Sequence, residues 1–241
     1  MIEYALFTDK GGREINEDAI GAMEKEGYSC FVLCDGLGGH GYGEVASALV
    51  VESFKKSFDH AQDMVNFIGD AITVAQENVI QFQNMNKMDS EMKTTVVAVA
   101  FDEHKIYAGH VGDSRLYVFE KGKYKRRTLD HSVPQMLVAT GEIKEKEIRN
   151  HPDRSLLLRV IGIEWDEPKY QLEEPMDRKC RQACLLCSDG FWELITEKDM
   201  EKTLKRSKTP REWCDAMVDI VRNNGVGKNM DNYSAITIFL D

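Results

Sequence analysis

The sequence predicts an α+β sandwich in which antiparallel sheets are covered on their outer faces by pairs of helices. Two features of the pattern lead to this fold class. Strand-like stretches are followed mostly by further strand-like stretches, and the helical stretches occur in pairs. A parallel sheet would instead require strands and helices to alternate along the chain. The chain has 241 residues, 42% of them hydrophobic, which is enough for one large core.

Hydrophobic periodicity predicts the individual elements. Alternating or continuous apolar residues predict strands, namely "EYALFTD", "YSCFVLC", "TTVVAVAF", "KIYAGHVGD", "RLYVFE", "YKRRTL", "ACLLCSD" and "SAITIFL". Apolar residues at helical spacing predict helices at about 44–58, 64–85, 133–140, 144–149, 197–205 and 210–223. Thr209 is the expected N-cap of the last helix, with Pro210 in its first turn.

The charge and the composition exclude several classes of partner. A formal net charge of −10 argues against a surface for nucleic acid or anionic membrane, since both require net basic patches. No apolar run approaches the roughly 18–20 residues of a membrane span, and no signal peptide is recognisable, so a cytoplasmic protein is expected. The six cysteines are expected to be reduced. The basic run "KYKRRTL" is interpreted as a solvated face.

The stretch "FVLCDGLGGHGYGEVAS" contains a G-x-G-x-x-G pattern at Gly36, Gly38 and Gly41, which could cradle a nucleotide. A dinucleotide fold also needs a second strand that ends in an acid about 20 residues further on. The residues at that distance fall inside a predicted helix. Asp35 would in addition place a negative charge beside the pyrophosphate. The pattern alone therefore does not indicate a nucleotide site.

Aspartates recur at the ends of predicted strands. Asp35 and Asp189 each follow an apolar strand and precede a glycine, Asp113 follows another strand, and Asp231 precedes the last one. Asp18 is expected in a turn that leaves the first strand. A single aspartate near a turn is an ordinary turn former. Several that meet would repel one another unless they were protonated or neutralised, and Mg²⁺ or Mn²⁺ with its preference for oxygen ligands is the usual solution.

A set of motifs makes this hypothesis specific. The patterns RxxNED, DGLGGHxxGExAS, TT, GHVGDSRLY, DHS, LLCSDG and DNYSAITI occur in this order between Arg13 and Ile238. Together they resemble the metal-dependent protein phosphatase family PP2C (PPM) in its compact bacterial form. The resemblance implies a four-layer αββα sandwich of two mainly antiparallel β-sheets flanked by helix pairs. It also implies a single phosphatase domain over 1–241, with a flap subdomain at about 132–163.

The resemblance implies a ligand set for two metal ions, Mn²⁺ or Mg²⁺, between the sheets. Asp35 would bridge both ions, and the carbonyl of Gly36 would bind one of them. Asp189 and Asp231 would complete the protein ligands of the other ion. Because glycine has no side chain, the backbone after Asp35 could turn its carbonyl toward the metal.

Further residues have implied roles around the ions. Asp18 would act through metal-bound water, and Glu17 is a further candidate for that role. Asp113 matches the acid that helps to bind a third, weaker metal together with Asp189. Arg13 matches the arginine that holds the substrate phosphate, for which a guanidinium fork is well suited.

The activity implied is hydrolysis of phosphoserine and phosphothreonine in proteins by a metal-activated water, which reverses Ser/Thr kinase signalling. The partners would be phosphorylated proteins and a cognate kinase, and a monomer is expected. Leu37 stands where many eukaryotic members carry the histidine proposed as the general acid, and His40 is a candidate substitute. Two alternatives stay open: a catalytically silent member that binds phosphoproteins, and a phosphatase for small phosphate esters or for an anti-sigma-factor antagonist.

Overall fold

The structure is a computed structural model that describes residues 2–37, 42–87 and 92–240. Its strands are β1 (Ile2–Asp9), β2 (Asp18–Lys25), β3 (Tyr28–Leu37), β4 (Lys93–Thr94), β5 (Val96–Phe101), β6 (Lys105–Val111), β7 (Arg115–Glu120), β8 (Lys123–Arg127), β9 (Gln171–Leu172), β10 (Met176–Asp177), β11 (Gln182–Cys187) and β12 (Tyr233–Leu240). Its α-helices are α1 (Gly43–His60), α2 (Phe67–Asn86), α3 (Val133–Ala139), α4 (Asp189–Trp192), α5 (Glu197–Leu204) and α6 (Pro210–Gly225), with a 3-10 helix at Glu145–Asn150.

The strands form two antiparallel sheets. The larger sheet has the order β10-β6-β5-β3-β2, with β4 paired to β3 and β9 paired to β6. The smaller sheet has the order β1-β12-β11-β7-β8. The chain passes from the larger to the smaller sheet between β6 and β7, so the turn at 112–114 lies where the two sheets meet.

Three hydrophobic cores separate four layers. One core lies between the helix pair α1–α2 and the larger sheet, and it includes Val50, Phe54 and Ile72. A second lies between the two sheets and is built from strand residues alone. The third packs α5 and α6 on the smaller sheet around Trp213. The structure thereby confirms the predicted αββα sandwich.

Alternation along β3 directs its side chains to different cores. Cys30, Val32 and Cys34 pack toward the helices, whereas Phe31 and Leu33 pack between the sheets. Successive side chains of a strand point to opposite faces. The next side chain in the second set is that of Asp35, so the strand periodicity carries this carboxylate into the space between the sheets.

Helix ends follow the predicted capping chemistry. The Thr209 hydroxyl accepts a hydrogen bond from the amide of Glu212, and Pro210 occupies the first turn of α6, which confirms this expectation. Thr196 caps α5 in the same way through the amide of Asp199. Within the described ranges, no helix combines the length and the apolar character that crossing a membrane would require.

The expectation that Asp18 lies in a turn was wrong. Asp18 is the first residue of β2, a strand whose sequence "DAIGAMEK" is rich in poor β-formers and was therefore not recognised. Pairing along its whole length with the strongly apolar β3 compensates for that weak propensity.

The interpretation of "KYKRRTL" as a solvated face was also wrong in part. Lys123 and Lys125 are exposed, but the Arg127 side chain is only 3% exposed and is paired with Asp130. A buried guanidinium needs such charged partners, and the run alone does not reveal them.

Candidate metal centre

The predicted acids meet at one end of the sandwich, between the two sheets. Asp18 and Asp35 are direct cross-strand partners on β2 and β3. Asp113 lies in the turn between β6 and β7, Asp189 begins α4 two residues after the end of β11, and Asp231 lies two residues before the start of β12. Because β11 and β12 are antiparallel neighbours, the end of one and the start of the other share the same edge.

Backbone contacts fix the position of Asp35. Its amide donates to the Thr95 hydroxyl at 3.0 Å, and its carbonyl accepts from the Thr95 amide at 2.8 Å. The Thr94 hydroxyl donates to the same carbonyl at 2.9 Å. The two threonines of the TT motif therefore hold the end of β3, a role that the motif alone did not indicate.

Gly36 is required by close packing of three backbone segments. A Cβ at this position would lie 2.4 Å from the carbonyl oxygen of Gly43 and 2.6 Å from that of Glu17. The Gly36 amide donates to the Glu17 carbonyl at 3.1 Å. The glycine thus brings the start of α1 and the segment before β2 against the end of β3, which places Glu17 beside the acids.

Two buried serines organise Asp18. The Ser188 hydroxyl donates to Asp18 Oδ2 at 2.8 Å and accepts from the Ser234 amide at 3.0 Å. Oδ1 of Asp18 is buried without a hydrogen-bond partner among the described residues. Burial raises the pKa of Asp18 to about 6, and the charge of Asp231 contributes in the same direction. One oxygen of this carboxylate is therefore available to a ligand.

Asn232 ties the N-terminal loop to the centre. Its side-chain nitrogen donates to the carbonyls of Lys10 and Ile15, at 3.0 and 2.9 Å, and its Oδ1 accepts from the Glu17 amide at 2.8 Å. The loop that carries Arg13 is thereby anchored beside the neighbouring acid, Asp231.

The acids raise one another's pKa. Burial raises the pKa of Asp35 well above its ordinary value, and the charges of Asp189, Asp18, Asp113 and Asp231 add to the shift. Burial also raises the pKa of Asp189 to about 7, with contributions from Glu193 and Asp231. The centre therefore favours either bound protons or bound cations.

Asp113 is buried, and three contacts hold its turn. Burial and the charge of Asp189 raise its pKa well above the ordinary value. Its carbonyl accepts from the Trp192 indole at 3.0 Å. The His131 amide donates to the Gly112 carbonyl at 2.9 Å, and the Gly112 amide donates to His131 Nδ1 at 3.2 Å.

Arg13 bonds to a predicted metal ligand. Its Nη2 donates to Asp231 Oδ2 at 2.8 Å, and both side chains are about half exposed. Burial, with the charges of Glu44 and Asp231, raises the pKa of the nearby Glu17. The guanidinium of Arg13 therefore lies beside the acids, where it is bonded to Asp231.

A groove of about 530 Å³ opens beside the centre. Asp189 and Asp231 lie on its wall, and four cationic side chains line it as well. They are Arg13, Arg149, Arg154 and Lys228. Arg149 bonds to Glu197 at 2.7 Å and Arg154 bonds to Glu193 at 2.7 Å, so residues of the 132–163 segment are attached to the chain that follows Asp189.

The donor chemistry fits Mn²⁺ or Mg²⁺. The acids offer only oxygen donors, Asp18 Oδ1 has no hydrogen-bond partner in the described parts of the chain, and the crowded carboxylates require neutralisation. In the present side-chain positions, no three acidic, histidine or cysteine side chains of the described residues surround a common point in the way that an ion requires. Ion binding would thus require these carboxylates to turn toward the metal.

Sequence reasoning left several supporting residues without a role. Ser188, Asn232 and His131 each stand next to a motif acid in the chain, which is a signal that could have found them. Leu37 lies at the end of β3 and is partly exposed. His40, the candidate substitute for the missing histidine, lies outside the described residues.

Comparisons with known proteins agree with this arrangement. The family model for protein phosphatase 2C matches residues 11–233. A serine/threonine phosphatase, stp, from Listeria monocytogenes is 30% identical over 97% of this chain and 94% of its own length.

Two solved structures extend the comparison. The serine/threonine phosphatase Stp1 from Staphylococcus aureus has a TM-score of 0.90 and 29% identity, over 100% of this chain and 96% of that chain. The catalytic domain of the phosphatase PstP in complex with two manganese ions has a TM-score of 0.84 and 25% identity, over 100% of this chain and 99% of that chain. Fold, acid placement and family match together establish that the chain belongs to the protein phosphatase 2C family.

Proposed function

We propose that this protein hydrolyses phosphoserine and phosphothreonine in phosphorylated proteins with Mn²⁺ or Mg²⁺ as cofactor. Membership in the protein phosphatase 2C family supports the reaction class. The observation that carries the proposal is the meeting of Asp18 and Asp35 across β2 and β3, beside Asp189 and Asp231. A related phosphatase is known in complex with two manganese ions, which supports the choice of metal.

The proposed ligands are those that the family resemblance implies, and the meeting of these acids at one end of the sandwich supports them. Asp35 would contribute to the binding of both ions, with the Gly36 carbonyl as a further ligand of one ion and Asp189 and Asp231 as further ligands of the other. Two such ions, when bound, activate a water for in-line attack on phosphorus. Asp18 would orient water at the centre through Oδ1, for which the described residues provide no hydrogen-bond partner.

Two more acids have proposed roles at the edge of the centre. Glu17 would support water on the side of α1, where Gly43 packs against its carboxylate. Asp113 with Asp189 would hold a third ion, and the repulsion between the two carboxylates is consistent with a shared cation.

Arg13 would bind the phosphoryl group of the substrate. Its bond to Asp231 keeps the guanidinium at the mouth of the centre. When Asp231 turned to a metal, the freed fork could make two charge-assisted bonds to phosphate oxygens. Charge neutralisation at those oxygens favours attack by water.

The test is hydrolysis of a phosphothreonine peptide with Mn²⁺ and with EDTA. Activity should require the metal and should fall at least about a thousandfold in Asp35→Asn, as expected when a group at the centre of the chemistry is removed. The variant Asp219→Asn, which changes an exposed acid on α6, should keep full activity. Turnover that survived EDTA or Asp35→Asn would refute the proposed chemistry.

We also propose that the enzyme is a cytoplasmic monomer and that it opposes a cognate Ser/Thr kinase. All six cysteines lie in described residues and none is paired, which suits a reducing compartment. Sedimentation of the purified chain tests the monomer, and a sedimentation coefficient that increased with concentration would contradict it.

A further inference from the structure

A groove on the outer side of α2 lies apart from the proposed metal ligands. It has a volume of about 660 Å³ and runs between one face of α2 and the loop at 164–168. Its wall on the helix is formed by Thr73, Gln76, Glu77, Ile80, Gln81, Asn84 and Met85. Its wall on the loop is formed by Glu164, Trp165, Asp166, Glu167 and Pro168.

The groove offers apolar surface to a ligand. Trp165 is half-buried, donates its indole N–H to the Val160 carbonyl at 3.3 Å, and packs edge-on against Tyr170. On the helix wall, Met85 is 76% exposed and Ile80 is partly buried. A tryptophan fixed by its own hydrogen bond provides apolar contact at little cost in conformational entropy.

The rim of the groove is acidic. Among the residues that the structure describes, four carboxylates line it and no lysine, arginine or histidine does. None of the four forms an ion pair with another described residue, whereas many other acids of the described chain are paired. These four are Glu77, Glu164, Asp166 and Glu167. An apolar floor with an uncompensated acidic rim is complementary to a cationic segment that carries an apolar side chain.

The loop wall of the groove is held in place from below. Gln76 accepts from the Gly162 amide at 2.9 Å and donates to the Ile163 carbonyl at 2.6 Å. Gln83 donates to the carbonyls of Gly162 and Met92 at 2.9 and 2.7 Å. Because these contacts fix the loop against α2, a ligand would meet a preformed surface rather than a loop that must first be ordered.

We propose that this groove is a docking site for a lysine- or arginine-rich segment of a partner protein, anchored by one aliphatic side chain on Trp165 and Met85. The aliphatic residue enters between the two walls, and the flanking cations lie along the acidic rim. Docking does not depend on metal or on catalysis, so the site is independent of the phosphatase function proposed above.

Trp165 supplies a direct readout. The other tryptophans, Trp192 and Trp213, are 1% and 0% exposed, so Trp165 alone can respond strongly to a ligand at the surface. The probe is a short blocked peptide of lysine, serine and leucine without aromatic residues. Its addition should shift Trp165 emission to shorter wavelength with saturation, and Trp165→Phe should remove the signal.

Two further peptides test the chemistry of recognition. One has glutamate in place of lysine and the other has glycine in place of leucine, and neither should bind.

Because the whole chain is acidic, a control must separate docking from general attraction. One variant neutralises the rim with Glu77→Gln, Glu164→Gln, Asp166→Asn and Glu167→Gln. The control neutralises four exposed acids elsewhere and has the same net charge, with Glu3→Gln, Glu26→Gln, Asp59→Asn and Asp219→Asn.

The rim variant should raise the dissociation constant of the peptide at least about tenfold, because several favourable charge pairs at the rim are lost. The control variant should raise it less than about threefold, because its charges lie far from the groove. Equal weakening in the two variants would overturn the proposal. So would saturable binding of the peptide that lacks leucine, or the absence of any saturable emission change with the original peptide.

Discussion

At the residue scale, Asp35 combines two unfavourable effects in the metal-free protein. It lies where strand periodicity directs it between the sheets, and it directly opposes Asp18 across the strand pair. Like charges opposite each other on a sheet are destabilising, and burial increases the cost. Burial is the main cause of the raised pKa values of Asp18 and Asp189, and the charge of Asp231 adds to both shifts.

The raised pKa values predict how the stability of the metal-depleted protein depends on pH. The folded-state pKa values of Asp18 and Asp189 are raised to about 6 and about 7, so the folded protein holds protons that the unfolded chain has released. As far as these two groups are concerned, the free energy of unfolding of the metal-depleted protein should therefore be highest below their ordinary pKa of 3.8, and it should already be falling at pH 5. It should fall as pH rises toward about 7, and then level off.

Thermal unfolding in EDTA from pH 5 to pH 8 checks this dependence, and Mn²⁺ should reverse much of the loss above pH 7. The double variant Asp18→Asn/Asp189→Asn is the comparison, because it should flatten the curve. A melting temperature that rose steadily from pH 5 to pH 8 in EDTA, with no difference in the double variant, would contradict the account.

Ser188 gives a second prediction for a single side chain. Its hydroxyl donates to Asp18 and accepts from the Ser234 amide, and it is fully buried. Ser188→Ala should cost about 1–3 kcal/mol of stability, since a buried N–H loses its partner. It should also lower the affinity for Mn²⁺ because Asp18 is no longer oriented. Chemical denaturation and calorimetric titration measure the two effects, and unchanged metal affinity would show that Ser188 is structural only.

At the element scale, the segment Asp130–Ser132 holds the turn between β6 and β7. Asp130 binds the guanidinium of Arg115 with two hydrogen bonds of 2.8 and 2.6 Å. His131 binds Gly112 through its backbone amide and its ring. Burial lowers the pKa of His131 to about 3, so the ring is neutral and Nδ1 accepts. The turn that carries Asp113 is therefore fixed from one side by a single short segment.

The variant series His131→Ala, His131→Gln and His131→Asn tests this positioning role. Asparagine can place an acceptor near the position of Nδ1, whereas alanine has none and glutamine places its acceptor further out. His131→Ala should lose about 1–3 kcal/mol by leaving the Gly112 amide unpaired, and His131→Asn should recover much of it. Chemical denaturation and Mn²⁺ titration measure the effects on stability and on metal affinity. Equal losses in His131→Ala and His131→Asn would contradict the positioning role of His131.

At the scale of the whole molecule, the layer order could be predicted from the sequence, whereas several details could not. Strongly apolar stretches such as "YSCFVLC" and "TTVVAVAF" are recognisable as buried strands from their own residues, and these strands define the larger sheet. The strand β2 depends on pairing with β3, so its own residues did not reveal it. Contacts between distant segments, such as Asn232 with the Lys10–Glu17 loop, depend on the fold and have no local signal.

In the candidate site, too, some features could be predicted from the sequence and others could not. The motif acids could be identified by resemblance, and the structure brings Asp35 together with Asp18, Asp113, Asp189 and Asp231. The bond between Arg13 and Asp231 was not expected, because the resemblance implies separate roles for these two residues. Their roles as metal ligand and phosphate ligand stay predictions.

Calorimetric titration of Mn²⁺ into the metal-depleted protein tests the central claim most directly, which is that Asp35 joins two ions between the sheets. The wild-type chain should bind at least two ions. Asp35→Asn should lose measurable binding of both while its metal-free form becomes more stable, because one crowded charge is gone. Binding of two ions by Asp35→Asn with wild-type affinity would contradict the account.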